Sequence, residues 1–576
     1  MGAICGIIGK RDSKAVHAMS QAMAHRGHAP RIVEGAEFAV AASADPGDAL
    51  ALVDGKPRAG SGQALSAQEL AQACTNARVP GQLEVNGAFA AAVRIPETGE
   101  WWLLRDPLGT KPLYYARTKA ALVFASELKG ILASGLVKKH LNLTAVDHYL
   151  TLRCVPGPET ILQGIWRVRP GHAVRCRHGK PPEPTETAVT PFALSRSEIR
   201  RDAAAQRVRE LLQEALARCE AQNLLWSGGI DCAALAALEP GMQPVFVTLE
   251  RAWQSESRLA RESARRLRVS LWQAAARRTT EETLAKAVYH LDEPIADASA
   301  FPLWSVIEAA REHGTAFVSG HGADELLGGY PRFHFLQKAH GSAQGLVPAS
   351  ILSGLLPALP PNAFVRRASR YLAAIKDNVE AYLSLLAVFD ADERRDLYTD
   401  AMKAALHRNT GSSSLVRRYF VGGDLARNLV SLDLNVTVPE LLLTKCDRIA
   451  AAHGVTLEFP YLSAPLVDFV ARLSPKVKYG VRSKPLLRLA VKGIVPAPVR
   501  LRARRGFRIP QSGRVVRVIE NAARQTITQE RVEASGLFKW QHVDKIMQSA
   551  THNVYRRRQF WALFMFFAWY RAFMES

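Results

Sequence analysis

The chain of 576 residues is long enough for two or more domains with separate cores. With 48% hydrophobic and 22% charged residues it has a globular composition, which excludes disorder over most of its length. A formal net charge of +22 allows a nucleic acid, an acidic partner or phosphate-rich substrates, or only a solvated basic face. No nucleic-acid-binding signature is present, so no nucleic acid is expected as a ligand.

Residues 1–190 carry short apolar runs at 3–8, 88–94, 101–104 and 121–125, separated by Gly, Pro and Asp. That pattern predicts strands of an antiparallel sheet system. The segment 179–190 is rich in Pro, Thr and Glu and reads as a linker between domains at 1–190 and 195–576. Beyond it the pattern predicts a helix at 197–220, a strand at 223–226, a strand at 244–249, a helix at 256–267 and a strand at 316–319. Such alternation indicates a parallel α/β sheet. After about 330 the sequence reads as mostly helical, with an Ala/Pro-rich loop-containing insertion at 347–364. The most apolar stretch, 560–573, is too short to span a bilayer and carries Arg571; it reads as a buried terminal helix. No signal peptide and no membrane partner are expected. The cysteines (Cys5, Cys74, Cys154, Cys176, Cys219, Cys232, Cys446) are scattered, odd in number and free of CxxC pairs. They argue against disulfides and zinc and fit a reducing cytoplasm.

The strongest chemical signal is Leu224-Leu225-Trp226-Ser227-Gly228-Gly229-Ile230-Asp231-Cys232. An apolar strand ends in a Ser-Gly-Gly turn before a helix, so backbone N–H groups and the helix dipole can close on a pyrophosphate. Asp231 can hold the accompanying Mg²⁺. About ninety residues later Ser319-Gly320-His321-Gly322-Ala323-Asp324 repeats the arrangement with a second acid. In a parallel sheet both turns lie at the carboxyl edge, where ligands bind. The candidate ATP-binding residues are Leu225, Ser227, Gly228, Gly229, Asp231, Cys232, Thr248, Ser319 and Gly320. Asp231 and Asp324 are the candidate metal ligands.

These motifs, with Asp292-Glu293-Pro294-Ile295-Ala296-Asp297 between them, resemble the glutamine-dependent asparagine synthetases and their relatives. Ser227–Cys232 resembles the family's SGGxDS loop, with Cys232 for the last Ser; 319–330 resembles SGxGxDExxGGY. Segments 442–447, 460–462, 484–488, 504–510 and 561–571 follow in family order. In the first half, 104–115 and 125–129 are close matches. The resemblance implies an Ntn-type antiparallel β-sandwich with helices, followed by an adenine-nucleotide α-hydrolase-like (PP-loop) parallel-sheet domain with a helical C-terminal part. It also implies ATP and Mg²⁺ as cofactors.

The pattern breaks at the glutaminase nucleophile. The family's cysteine is residue one after Met removal, and its free α-amine serves its own thiol. The matching Cys5 has four residues before it, so it is either a buried strand residue or a nucleophile exposed by processing. HRGPD becomes His25-Arg26-Gly27-His28-Ala29, and NGE becomes Asp54-Gly55-Lys56. The expected GSD aspartate is missing near Gly62-Gln63-Ala64, and the glutamine-binding arginine has no counterpart in 39–53. A structural, glutaminase-dead N-terminal domain is therefore expected, with nitrogen arriving as a substrate amine.

Family members of that kind include β-lactam synthetases and lasso-peptide cyclases. The resemblance implies that Lys484 steadies the tetrahedral oxyanion. His321, where relatives carry an acid or tyrosine, is a candidate general base or only a packing or phosphate-binding residue. Glu440 and Glu458 are candidates to orient it, or solvated helix charges. Arg500, Arg502, Arg504, Arg505 and Arg508 hold pyrophosphate or form an exposed face. The favoured substrate is a peptide whose N-terminal amine meets an Asp or Glu side chain, with a leader-peptide protease as partner. The alternatives are a β-lactam or small-molecule amide synthetase, a glutamine-hydrolysing asparagine synthetase, and a non-catalytic partner-binding scaffold.

Overall fold

Ile4–Ile8 (β1) alternates between two cores, and that alternation builds the first half of the molecule. Ile4 and Ile8 face a second sheet, packing with Leu52, Ala90 and Leu103, while Cys5 and Ile7 lie under Val16 and Met19 of helix Ser13–Ala22. In chain order the remaining strands of this half are Arg31–Glu34 (β2), Phe38–Ala42 (β3), Ala51–Ala59 (β4), Val85–Arg94 (β5), Trp101–Arg105 (β6), Tyr114–Arg117 (β7), Leu122–Ala125 (β8), Ile165–Arg167 (β9), His172–Cys176 (β10) and Thr185–Ala188 (β11). They form antiparallel sheets ordered β2-β3-β1-β8-β7-β9 and β11-β10-β6-β5-β4. Helix Ala67–Ala77 covers the outer face of the second sheet through Leu70, Ala71 and Cys74. The result is the expected helix-flanked β-sandwich.

The computed structural model describes every residue except 1, 28–29, 45–49, 78, 178–184, 189–198, 250–254, 331–369, 372–376, 407–410, 421–424, 481, 504–512, 551–552 and 576. The insertion expected at 347–364 lies outside the described residues. The expected linker is corrected in part. Thr185–Ala188 pairs along β10 as an edge strand, so the first domain's sheet continues into it. The polar run Thr-Glu-Thr-Ala suits a sheet edge as well as a linker. The other residues of 179–190 lie outside the described set.

In the second half Asn223–Leu225 (β12), Gln243–Thr248 (β13), Trp272–Ala275 (β14), Ala316–Val318 (β15) and Thr456–Glu458 (β16) form a wholly parallel sheet ordered β14-β13-β12-β15-β16. From β12 the chain moves outward one way to β13 and β14, then returns to the other side of β12 as β15. The two strands that carry the glycine turns are therefore neighbours at the switch point, where an open parallel sheet leaves a crevice. The last helix, Val554–Phe573, is buried as expected. Tyr149 donates to Ala562 O (2.8 Å), and Trp569 Nε1 to Asp292 O (3.1 Å), tying both halves to it. Among the described residues no helix is long and apolar enough to cross a membrane. All seven cysteines are free.

Candidate active site

After β12 the chain turns through Ser227-Gly228-Gly229 into helix Ile230–Leu238. Gly228 has φ +75°, and a Cβ there would lie 2.5 Å from Ala260 Cα, so only glycine lets the turn press against helix Ser255–Leu267. Ser263 Oγ fixes it by donating to Gly228 O (2.8 Å). The first turn of helix Ile230–Leu238 leaves N–H groups without intrahelical partners beside Gly229, Asp231 and Cys232, a ready seat for a phosphate. Cys232 does not copy a serine here. Its buried thiol donates to Gly229 O (3.3 Å), and burial raises its pKa.

These residues line a cavity of about 640 Å³ at the switch point. Leu225, Val245, Val247, Leu249 and Leu259 make an apolar wall suited to a flat base, while Ser319, Gly320, His321, Asp297, Ser299 and Lys445 make a polar end. Of the sequence-derived nucleotide residues, Thr248 is not in the lining. Its neighbours Val247 and Leu249 are, and Thr248 O accepts Ala276 N (3.0 Å).

Lys484 draws the two candidate metal ligands together. Its Nζ lies 2.5 Å from Asp231 Oδ1 and 2.6 Å from Asp324 Oδ1. Burial opposes the ammonium, but the two carboxylates outweigh it and raise its pKa. Two aspartate oxygens converging on one point fit Mg²⁺, which in nucleotide sites takes one or two carboxylates and completes its shell with phosphates and water. Among the described residues no group of three or more His, Cys, Asp or Glu converges as a metal cage.

His321 reaches the cavity, with Nδ1 2.6 Å from Ser319 Oγ. Burial, helped by the Lys445 ammonium, pushes its pKa down to about 4. It is therefore neutral near pH 7 and a much weaker proton acceptor than its ordinary value implies. Neither proposed orienting acid is paired with it. Glu440 sits in a helical segment, Asp433–Leu443, widened around Pro439, and its carboxylate is taken by Arg105 (3.3 Å) and Arg167 (2.9 Å) of the first half. Glu458 ends edge strand β16 and accepts Glu220 N (3.0 Å) and Ala221 N (3.1 Å), with Lys56 Nζ at 3.5 Å.

Three residues not singled out from the sequence enter the polar end. Lys445 Nζ holds Asp297 (2.6 Å) and Ser299 Oγ (2.6 Å). Arg153, a non-glycine residue at φ +72°, brings a guanidinium from the first half into the lining. Lys445 lies inside the recognised 442–447 segment, a signal that could have identified it; Arg153 has no local signal. Of the arginine cluster, Arg502 lines the cavity and donates to Ser263 Oγ (2.9 Å), while Arg504, Arg505 and Arg508 lie outside the described residues.

The residues matched to the family's glutaminase motifs are held by contacts within the fold. Cys5 is the second residue of β1, paired with Ala41 and Ala125, and burial pushes its thiol up to about 12. The residues before it are built into the fold: Gly2 N donates to Asp54 Oδ1 (3.2 Å), Ala3 N to Ser43 Oγ (3.0 Å) and Ile4 N to Ser126 Oγ (3.0 Å). Arg26 binds Asp54 (2.9 Å), Glu127 (2.9 Å) and, across the domain boundary, Asp447 (2.8 Å), which also takes Lys111 (2.8 Å).

Residues 207–571, more than half of the chain, match the model of the asparagine synthase family, and residues 71–185 match a glutamine amidotransferase domain. The chain is 27% identical to a protein of Mycobacterium tuberculosis (strain ATCC 25618 / H37Rv) provisionally named asparagine synthetase [glutamine-hydrolyzing], over 85% of this chain and 77% of that one. It is 24% identical to asparagine synthetase [glutamine-hydrolyzing] 1 of Bacillus subtilis (strain 168), over 86% and 78%. It is also 24% identical to amidase chyE of Penicillium rubens, over 77% and 73%.

Proposed function

Because the chain belongs to the asparagine synthase family of ATP-dependent carbon–nitrogen ligases, we propose that it joins an adenylated carboxylate to an amine carried by a substrate, closing a peptide macrolactam as lasso-peptide cyclases do. The observation that carries this reading is Cys5. Its thiol is buried in a central strand, the residues before it are hydrogen-bonded into the fold, and Arg26 and Asp54 are locked in ion pairs. A thiol so placed is closed to glutamine in this conformation, which supports a nitrogen that comes with the substrate.

In this reading the Ser227 and Ser319 turns would hold the triphosphate, and Asp231 and Asp324 would hold Mg²⁺, which would offset the phosphate charge. The substrate carboxylate attacks the α-phosphate and pyrophosphate leaves. The amine then attacks the acyl-adenylate and AMP leaves. Lys484, behind Asp231 and Asp324, is assigned to steady the developing oxyanion, with Lys445 and Arg153 the cations already in the cavity lining, and holding the amine against the carbonyl supplies much of the rate. His321, hydrogen-bonded to Ser319 and held neutral chiefly by burial, faces the cavity as the candidate acceptor of the amine proton.

The names of the relatives favour a second reading, glutamine-hydrolysing asparagine synthesis. One experiment separates the two. A precursor core peptide is incubated with the protein, its leader protease and ATP·Mg²⁺ without glutamine, and its intact mass is recorded. Loss of one water with AMP formation, absent in Lys484→Ala, supports the cyclase. An unchanged peptide, with asparagine formed from aspartate and glutamine, refutes it.

A further inference from the structure

The Lys484 ammonium holds the point where a cation shared by Asp231 and Asp324 would sit. Its side chain is 3% exposed, whereas the two carboxylates are 27% and 21% exposed. The acids thus face the cavity with the lysine closing them from behind. An ammonium and a divalent ion compete for the same Oδ1 atoms, and three positive charges cannot share that volume cheaply. We propose that Lys484 is a charge placeholder. It keeps the metal site closed in the nucleotide-free protein and yields the two aspartates when Mg²⁺ arrives with ATP, which releases its ammonium toward the acyl group.

The backbone is built for a side-chain movement about a fixed anchor. Lys484 has φ +52° immediately before Pro485, a strained conformation for a lysine, and its carbonyl accepts Arg488 N (3.0 Å) in the first turn of helix Pro485–Ala490. Its stem runs past Gly329, where a Cβ would lie 1.8 Å from Asp324 Oδ1 and 2.6 Å from Lys484 Cε. That slot admits the flexible four-carbon stem and little else. The consequence is an order of events: the free protein rejects the metal alone, and the lysine becomes available for the acyl transfer only when metal and nucleotide are both seated. The inference rests on reading Asp231 and Asp324 as metal ligands.

The test uses Mn²⁺ as the probe, titrated into the full chain with free Mn²⁺ followed by electron paramagnetic resonance, with and without α,β-methylene-ATP. Without nucleotide, Lys484→Met is expected to bind Mn²⁺ about tenfold to a hundredfold more tightly than wild type, the worth of a charge-assisted contact. Mn²⁺ should also raise the melting temperature of the variant and not of wild type. In wild type alone, the analogue should tighten Mn²⁺ binding by about tenfold or more, a check that stands if the variant does not fold. Equal unaided binding by wild type and Lys484→Met, lost in Asp231→Asn, would overturn the placeholder and leave the metal site standing. If wild type binds no more Mn²⁺ than Asp231→Asn even with the analogue, the metal ligands are wrong and the placeholder falls with them.

Discussion

Replacing Arg26 by methionine tests whether the buried ion pairs around it lock the two halves together. Arg26 uses all five N–H groups. Nε donates to Gly2 O (3.0 Å), Nη1 to Glu127 (2.9 Å) and Asp447 (2.8 Å), and Nη2 to Asp54 (2.9 Å) and Asp447 (3.2 Å). It belongs to a buried lattice in which the cations Arg26, Lys111, Lys129 and Arg448 meet the carboxylates Asp54, Glu127, Asp292 and Asp447. Four charges of each sign balance, so removing one cation leaves an uncompensated buried carboxylate. Breaking such a pair costs about 3–5 kcal/mol. Each acid keeps another partner, Asp447 on Lys111 and Glu127 on Arg448, which places the expected loss near the lower value, about 3 kcal/mol. Urea unfolding followed by tryptophan fluorescence and far-UV circular dichroism measures it. Arg26→Met combined with Asp447→Asn restores neutrality and should be more stable than Arg26→Met alone. A loss below about 1 kcal/mol for the single variant, or an additive double variant, would refute the lattice as an interdomain lock.

Three further outcomes are expected. Cys5→Ala should leave ATP- and amine-dependent amide formation within about twofold of wild type, since the thiol only fills β1; a collapse in steady-state rate would restore the glutaminase. Gly329→Ala must displace Asp324 or Lys484, and a misplacement of about 1 Å at a reacting group costs about a hundredfold, read as the rate of ATP–pyrophosphate exchange; an unchanged rate would show that the slot is not tight. His290 and His453 both pack on Trp304, at 5.7 and 4.3 Å between centroids, and burial pushes them down to about 3 and about 4. Below their ordinary value of 6.5 the unfolded chain takes up protons that the folded one refuses, so stability should fall as pH drops from 6.5 toward 4. The urea midpoint should be lower at pH 5 than at pH 7, and His453→Phe should shrink that difference; a midpoint independent of pH would contradict it.

Much of the fold was legible because its signals are local. The apolar run of β1, the strand–glycine–helix turn at Ser227 and the buried helix over 560–573 each declare themselves within a dozen residues, where side-chain period and glycine conformation act. Edge strand β11 was read as a linker because a short polar run has the same composition whether or not it pairs. The pairing of Glu440 with Arg105 and Arg167, rather than with His321, was equally hidden, since charge alone does not name its partner.

What the sequence determined by itself is the chemistry on offer: two glycine turns, two aspartates and a lysine in family order, with a cysteine inside an apolar run. Only the tertiary structure decided their relations. Sheet order makes β12 and β15 neighbours, so Asp231 and Asp324 converge, and Lys484, 253 residues beyond Asp231, bridges them. Packing against the second half made Arg26 the partner of Asp447, 421 residues away. Local conformation follows from neighbours along the chain. Charge pairing at this range is set by which buried groups the folded core leaves facing one another, and a buried charge must take the partner it meets.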